Sequence, residues 1–232
     1  MRRPLYVWIE HCPTRTVMGI LGKQGCFAER VTLPIANLHA LPDALDDATA
    51  CFVEPTAAAF EILEQVSIDA RSRVVVLGDG KLGLLVAQVL ATHGARVTLV
   101  GRHARKLAIA RGLGLETVSV DDLTRKSFDV AIEATGSPDG FANAVAFLRP
   151  RGTLVLKSTY HGELRLDAAP VVIDELTIVG SRCGPFEPAI AALASGRVRV
   201  GALVDAVVPL EEAVSAMQRA ATPGTLKVLL RV

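Results

Sequence analysis

Residues 73–83 read Arg73-Val-Val-Val-Leu77-Gly78-Asp79-Gly80-Lys81-Leu82-Gly83, and this stretch decides the fold. The apolar run Arg73–Leu77 predicts a buried parallel strand. The stretch Leu84–His93 has few polar breaks and predicts a helix. Between them stands Gly-x-Gly-x-x-Gly, the spacing of a dinucleotide-binding turn. Gly78 permits the tight turn out of the strand. Gly80 has no Cβ, so a pyrophosphate can approach the backbone. Gly83 lets the helix pack against the strand. The free N–H groups and positive dipole end at the helix start then favour phosphate. The motif alone is weak. Its flanking strand, helix and following strand select cofactor binding over a purely structural glycine turn.

The chain has 232 residues, enough for one large or two small domains. Half of the residues are hydrophobic and the mean hydropathy is +0.39, which suits a sheet covered on both faces. Aromatic residues are only 4%, so the core must be built mainly of Val, Leu, Ala and Ile. A net charge of +1 gives no footprint for nucleic acid or a membrane surface. No apolar run reaches the roughly 18 residues that a bilayer span needs. Met1–Glu10 carries basic residues, but its apolar run is too short for a secretion signal and lacks a small-residue cleavage site. The expected location is the cytoplasm. Cys12, Cys26, Cys51 and Cys183 form no CxxC pair or zinc spacing, and are expected to be reduced and mostly buried.

Residues 1–55 differ from the rest. They hold Pro4, Pro13, Pro34 and Pro42 and short β-like runs at Arg15–Leu21 and Phe27–Leu33, as part of a small β-rich domain. A helix is expected from Thr56 to about Ser67, with Pro55 at its start. From Arg73 strands and helices alternate. Strands are expected at Arg73–Leu77, Arg96–Val100, Glu116–Val120, Asp129–Ala134, Thr153–Ser158 and Thr177–Ser181. Helices are expected at Leu84–His93, Ala104–Gly112, Phe141–Phe147 and Pro188–Ser195, with Arg149–Gly152 a turn. This pattern predicts an α/β fold, a doubly wound parallel sheet of six strands over residues 56–196. Residues 197–232 add a strand (Leu203–Val208), a helix (Leu210–Ala220) and a strand (Leu226–Leu230). They are expected to return to the N-terminal β-rich domain.

The end of the second strand selects the nucleotide in such a sheet, because a carboxylate there accepts from the adenosine 2′-hydroxyl. Here Val97–Val100 ends at Gly101-Arg102-His103, with Arg105 and Lys106 following. No carboxylate stands at this point, and cations would meet a 2′-phosphate. The stretch points to NADP(H) in preference to NAD(H), the alternative being solvated residues that open a helix. Two more loops lie at strand ends where a nicotinamide would rest. They are Ala134-Thr135-Gly136-Ser137 and Lys157-Ser158-Thr159-Tyr160, which are otherwise ordinary strand-to-helix turns.

Taken together, these residues resemble the medium-chain dehydrogenase/reductase family, the zinc-type alcohol dehydrogenases, near its sorbitol, threonine and glucose dehydrogenase branches. The resemblance rests on Val53-Glu54-Pro55-Thr56-Ala57-Ala58-Ala59 followed by the glycine motif. Gly25-Cys26-Phe27-Ala28-Glu29, Glu133-Ala134-Thr135-Gly136, Glu175–Arg182 and Lys227-Val228-Leu229 extend it. It implies a GroES-like catalytic domain, here partial, and a Rossmann domain. It implies hydride transfer between a nicotinamide cofactor and an alcohol, polyol or carbonyl substrate, with zinc as Lewis acid. Glu54 matches the zinc-proximal glutamate of the family. Arg182 matches a loop that closes near the site. Leu176–Gly180 resembles the edge strand that pairs across a homodimer.

The departures are as informative. A catalytic Cys and a Gly-His-Glu motif precede the matching region in the family, and neither stands here. Cys12 resembles the last cysteine of the structural zinc lobe. A tetrahedral catalytic zinc takes three protein ligands, and Glu54 is the one that the resemblance supplies. None of His11, His39, His93, His103 and His161 has a Glu after it, and His161 follows a nicotinamide-side loop. The expectation is a family chain truncated at its N-terminus. The alternatives are a nucleotide-binding remnant without activity and a zinc-free enzyme like the quinone reductases.

Overall fold

The computed structural model describes residues 11–159, 163–164 and 166–232. The chain divides into two compact units, one of Leu41–Val204 and one of the described residues up to Ala40 with Asp205–Val232.

In the smaller unit two short strands, β1 (Val17–Met18) and β2 (Gly22–Lys23), pair in parallel. The expected strand at Phe27–Leu33 does not form, and of Arg15–Leu21 only β1 is strand. The apolar side chains of this stretch gain little burial to hold a pleat. Ile20, Phe27, Ile35 and Leu38 are all exposed.

The larger unit opens with helices α1 (Asp47–Ala50) and α2 (Val53–Gln65). Helix α2 begins three residues earlier than Thr56. Pro55 therefore sits in the first turn, where a missing N–H costs no intrahelical bond. Then follow β3 (Arg73–Leu77), α3 (Lys81–Thr92), β4 (Arg96–Val100), α4 (Ala104–Gly112) and β5 (Glu116–Val118). They continue with β6 (Phe128–Glu133), α5 (Pro138–Phe147), β7 (Leu148–Leu156), α6 (Ala168–Ile173), β8 (Thr177–Gly180) and α7 (Phe186–Ala194).

Six strands form one sheet in the order β5-β4-β3-β6-β7-β8, every pair parallel. This is the doubly wound Rossmann arrangement, with its switch point between β3 and β6. Val74, Val75 and Val76 have no exposed surface, as a strand covered on both faces requires. Helix α2 packs against α3 and α7. Helix α5 covers β3, β6 and β7, with Phe141, Ala144 and Phe147 set against Val75, Leu77 and Leu154. Helix α3 is buried continuously from Gly83 to Leu90, which explains its lack of polar breaks. Full burial of Leu84, Leu85 and Leu90 stabilises by about 1.5–3 kcal/mol each relative to exposure.

Three local expectations change. Strand β5 stops at Val118 because Val120–Asp122 forms a 3₁₀ turn, and the Ser119 hydroxyl accepts from the Asp121 N–H. Arg149–Gly152 is not a free turn. It belongs to β7, with a register irregularity opposite Phe128–Val130 and a positive φ at Arg151. Asp129 holds that irregularity by accepting from Arg149 Nε at 2.6 Å and from the Arg73 N–H at 2.7 Å. Helix α6 has no counterpart in the sequence reading, and the Asp167 side chain caps it.

The smaller unit also contains helix α8 (Ala213–Ala220) and the paired strands β9 (Val204–Pro209) and β10 (Lys227–Arg231). No described helix is long and apolar enough to cross a membrane.

Candidate functional site

Register aligns the carboxyl ends of the strands. Leu77 pairs with Val100 and Glu133, Glu133 with Leu156, and Leu156 with Gly180. The next residues, Gly78, Gly101, Ala134, Lys157 and Ser181, therefore share one edge of the sheet. A cleft of about 260 Å³ opens there, at the switch point. Gly78, Asp79, Gly80, Gly101, Arg102, His103, Ala134 and Thr135 line it. So do Lys106, Val120, Ser137 and Asn143.

The three glycines are distinguished by what a methyl would meet. Gly78 has φ +118°, and a Cβ would lie 2.4 Å from the Ala134 carbonyl oxygen. A Cβ on Gly83 would lie 1.9 Å from the Gly78 oxygen, so helix and strand meet only because it is absent. A Cβ on Gly80 would meet no protein atom within 4 Å. Gly80 caps α3 and faces the cleft, so its bareness serves the space outside the protein. The first amides of α3 point their unpaired N–H groups towards that end.

Asp79 stands between the glycines and is almost fully buried, at 6% exposure. Its side chain crosses to the end of β4. Oδ2 accepts from the Arg102 N–H at 2.8 Å and the His103 N–H at 2.7 Å. The His103 ring nitrogen Nδ1 lies 2.9 Å from Oδ1. Burial works to raise the Asp79 carboxyl. The hydrogen bonds from the His103 amide and ring and from the Arg102 amide outweigh it, and hold the group below the ordinary carboxylate range. The β4 end thus carries a carboxylate after all, supplied by the glycine loop and already occupied. Its signal was hidden in the variable position of the motif, 23 residues away from its partner Arg102.

A second buried carboxylate organises the opposite wall. Glu133, at 2% exposure, accepts from the Thr135 N–H at 2.8 Å and hydroxyl at 2.6 Å. A Cβ on Gly140 would lie 2.4 Å from Glu133 Oε1, so α5 starts where it does because that residue is glycine. The Gly136 N–H donates to the Ser158 hydroxyl at 2.9 Å, which joins the loops after β6 and β7.

The remaining expected site residues are placed differently. Lys81 and Leu82 form the exposed and half-buried start of α3. Lys157 is buried and donates to the Ala58 carbonyl at 2.7 Å and the Ser181 hydroxyl at 3.1 Å, so its ammonium ties β7 to α2. Ser158, Thr159 and Arg182 do not line the cleft. Tyr160 and His161 lie outside the described residues. Lys106, Val120 and Asn143 complete the wall, and only Lys106 was flagged by its charge. No disulfide joins the four cysteines and, contrary to expectation, none is buried: Cys26 and Cys51 are exposed and Cys12 and Cys183 half-buried.

The described residues do not make a zinc site. Glu54 lies exposed in the first turn of α2, and among the described residues no three His, Cys, Asp or Glu side chains converge to hold a metal ion.

Comparison with known proteins agrees with this geometry. Residues 82–195 match the model of a family described as zinc-binding dehydrogenase. D-arabinitol dehydrogenase 1 of Uromyces fabae is 31% identical over 89% of this chain and 64% of its own length. Sorbitol dehydrogenase of Halalkalibacterium halodurans is 28% identical over 90% of this chain and 67% of its own. Among solved structures, a zinc-binding dehydrogenase of Sinorhizobium meliloti bound to NADP superposes with a TM-score of 0.84 at 26% identity, covering 91% of this chain and 67% of that one. The chain therefore spans about two thirds of the length of these relatives.

Proposed function

The chain belongs to the zinc-binding dehydrogenases of the medium-chain dehydrogenase/reductase family, and from that premise we propose that it serves an oxidoreductase acting on alcohols or polyols and their carbonyl products. The observation that carries this reading is the cleft at the switch point, lined by Gly78–Gly80, with Gly80 bare towards it at the N-cap of α3. The α3 amides and Gly80 would hold the pyrophosphate. Ala134 and Thr135, fixed by Glu133, would border the nicotinamide. When bound, the cofactor supplies or accepts the hydride.

NADP(H) is the preferred cofactor in this reading. Arg102 is exposed at the cleft and Lys106 lines it, while the Asp79 carboxylate is occupied by two amides and a ring nitrogen. The names of the relatives suggest a polyol of the arabinitol or sorbitol class. The cytoplasm suits four cysteines that form no disulfide. A homodimer through β8 would cover an open sheet edge. A second reading, dinucleotide binding without turnover, is favoured by the lack, among the described residues, of three His, Cys, Asp or Glu side chains placed to hold a metal ion.

The test is a fluorescence titration with NADPH and NADH, beside an absorbance assay with NADP⁺ and a panel of polyols. Arg102→Asp should weaken NADPH more than NADH. Equal losses would remove the NADP preference. Binding without turnover on any polyol or aldehyde would favour the second reading.

A further inference from the structure

We propose that Asp79 is a positioning residue for cofactor selection, locking Gly101–His103 to the glycine loop so that Arg102 and Lys106 face the adenosine 2′ position. The proposal rests on the dinucleotide reading above. Its basis is a close fit between two loops distant in sequence. The Asp79 carboxylate takes the amides of both Arg102 and His103 and the ring of His103. Helix α4, which follows, has no side-chain cap of its own. The segment leading into α4 is held from outside instead, by a short side chain with few rotamers.

Gly101 completes the fit. A Cβ there would stand 2.4 Å from Asp79 Oδ2 and 2.5 Å from Asp79 Cβ. Neither atom sits at the end of a long side chain that could swing away. The carboxylate occupies the space that any larger residue at position 101 would need. Asp79 and Gly101 therefore act as a pair.

The consequence concerns anion binding. An anion at the end of β4 would ordinarily use the amides there. Here Asp79 has taken two of them. A 2′-phosphate would depend on the side chains of Arg102 and of Lys106, which is 7% exposed and lies in the first turn of α4. The direction of both follows from the backbone that Asp79 fixes. Two rival roles give opposite signs. A carboxylate that merely repels phosphate would make NADPH binding tighter on removal. A carboxylate that receives the ribose hydroxyls would cost NADH more than NADPH.

Dissociation constants of NADPH and NADH for the full chain and three variants separate these roles. Asp79→Ala should weaken NADPH by about tenfold more than NADH, the worth of one well-placed charged contact. Asp79→Asn keeps an acceptor oxygen for the two amides and should restore most of the preference. Gly101→Ala displaces Asp79 from the other side and should reproduce the Asp79→Ala ratio. A merely destabilising change would lower both affinities together and leave the ratio alone. An unchanged ratio in Asp79→Ala and Gly101→Ala, or a ratio moved towards NADPH, overturns the proposal while leaving dinucleotide binding intact. Failure of the unaltered chain to bind either dinucleotide overturns both.

Discussion

Gly80 and Gly83 are the same residue in the same motif, yet a methyl would meet open space at one and a carbonyl oxygen at 1.9 Å at the other. Gly83→Ala should therefore damage the fold itself. A rigid backbone contact has to shift, which costs about 1–3 kcal/mol by analogy with overpacked cores. A urea denaturation midpoint checks this. Thr56 makes the opposite case. Its hydroxyl is fully buried and has no partner among the described residues. Thr56→Val removes an unsatisfied group at nearly constant shape, so the melting temperature should hold or rise. Acid stability follows from two carboxylates. Asp79 and Asp129 are both held below the ordinary carboxylate value, in each case by hydrogen bonds that outweigh burial. A depressed folded value stabilises above the unfolded pKa of about 3.9 and is lost as pH falls through the folded one. Stability should be level at neutral pH and fall below about pH 4, with Asp129→Asn flattening part of that fall. The turn at Gly78 and the helix contact at Gly83 were legible in the sequence because strand, glycines and helix follow one another directly, although the Ala134 carbonyl that Gly78 also meets comes from another strand. The Asp79 bridge was not, because the motif leaves its position open and its partners are set by strand pairing.

At the scale of elements, the sheet was legible because its strands are buried on both faces and so read as continuous apolar runs. Strand ends were less so. Ser119 turns the chain out of β5 early, and Asp129 keeps Arg149–Gly152 within β7, through side-chain bonds that hydrophobic period does not report. The short strands at Val17–Met18 and Gly22–Lys23 show the limit of propensity. Where a stretch lacks burial, β-like residues do not make a sheet. Strand β8 is one edge of the large sheet, opposite β5, and Ile178 on it is exposed along with Val172 and Ile173 on α6. If two copies pair there, Ile178→Lys should shift sedimentation from dimer to monomer while the far-ultraviolet spectrum stays unchanged. An unaltered sedimentation profile would remove β8 as the pairing edge.

At the scale of the molecule, the larger unit is a Rossmann-type sheet whose two cleft walls are each set by a buried carboxylate. Asp79 fixes the β4 end and Glu133 fixes the loop after β6. The metal half of the expected chemistry has no counterpart among the described residues beyond Glu54. Gly80 gives cofactor binding a clean test. Gly80 has extended backbone angles that any residue can adopt, and a side chain there would meet no protein. Calorimetric titration of NADPH into the unaltered chain and into Gly80→Val measures it directly. The expected result is saturable binding to the former, and loss of binding by the latter at an unchanged melting temperature. No binding by the unaltered chain, or equal binding by both, would contradict it.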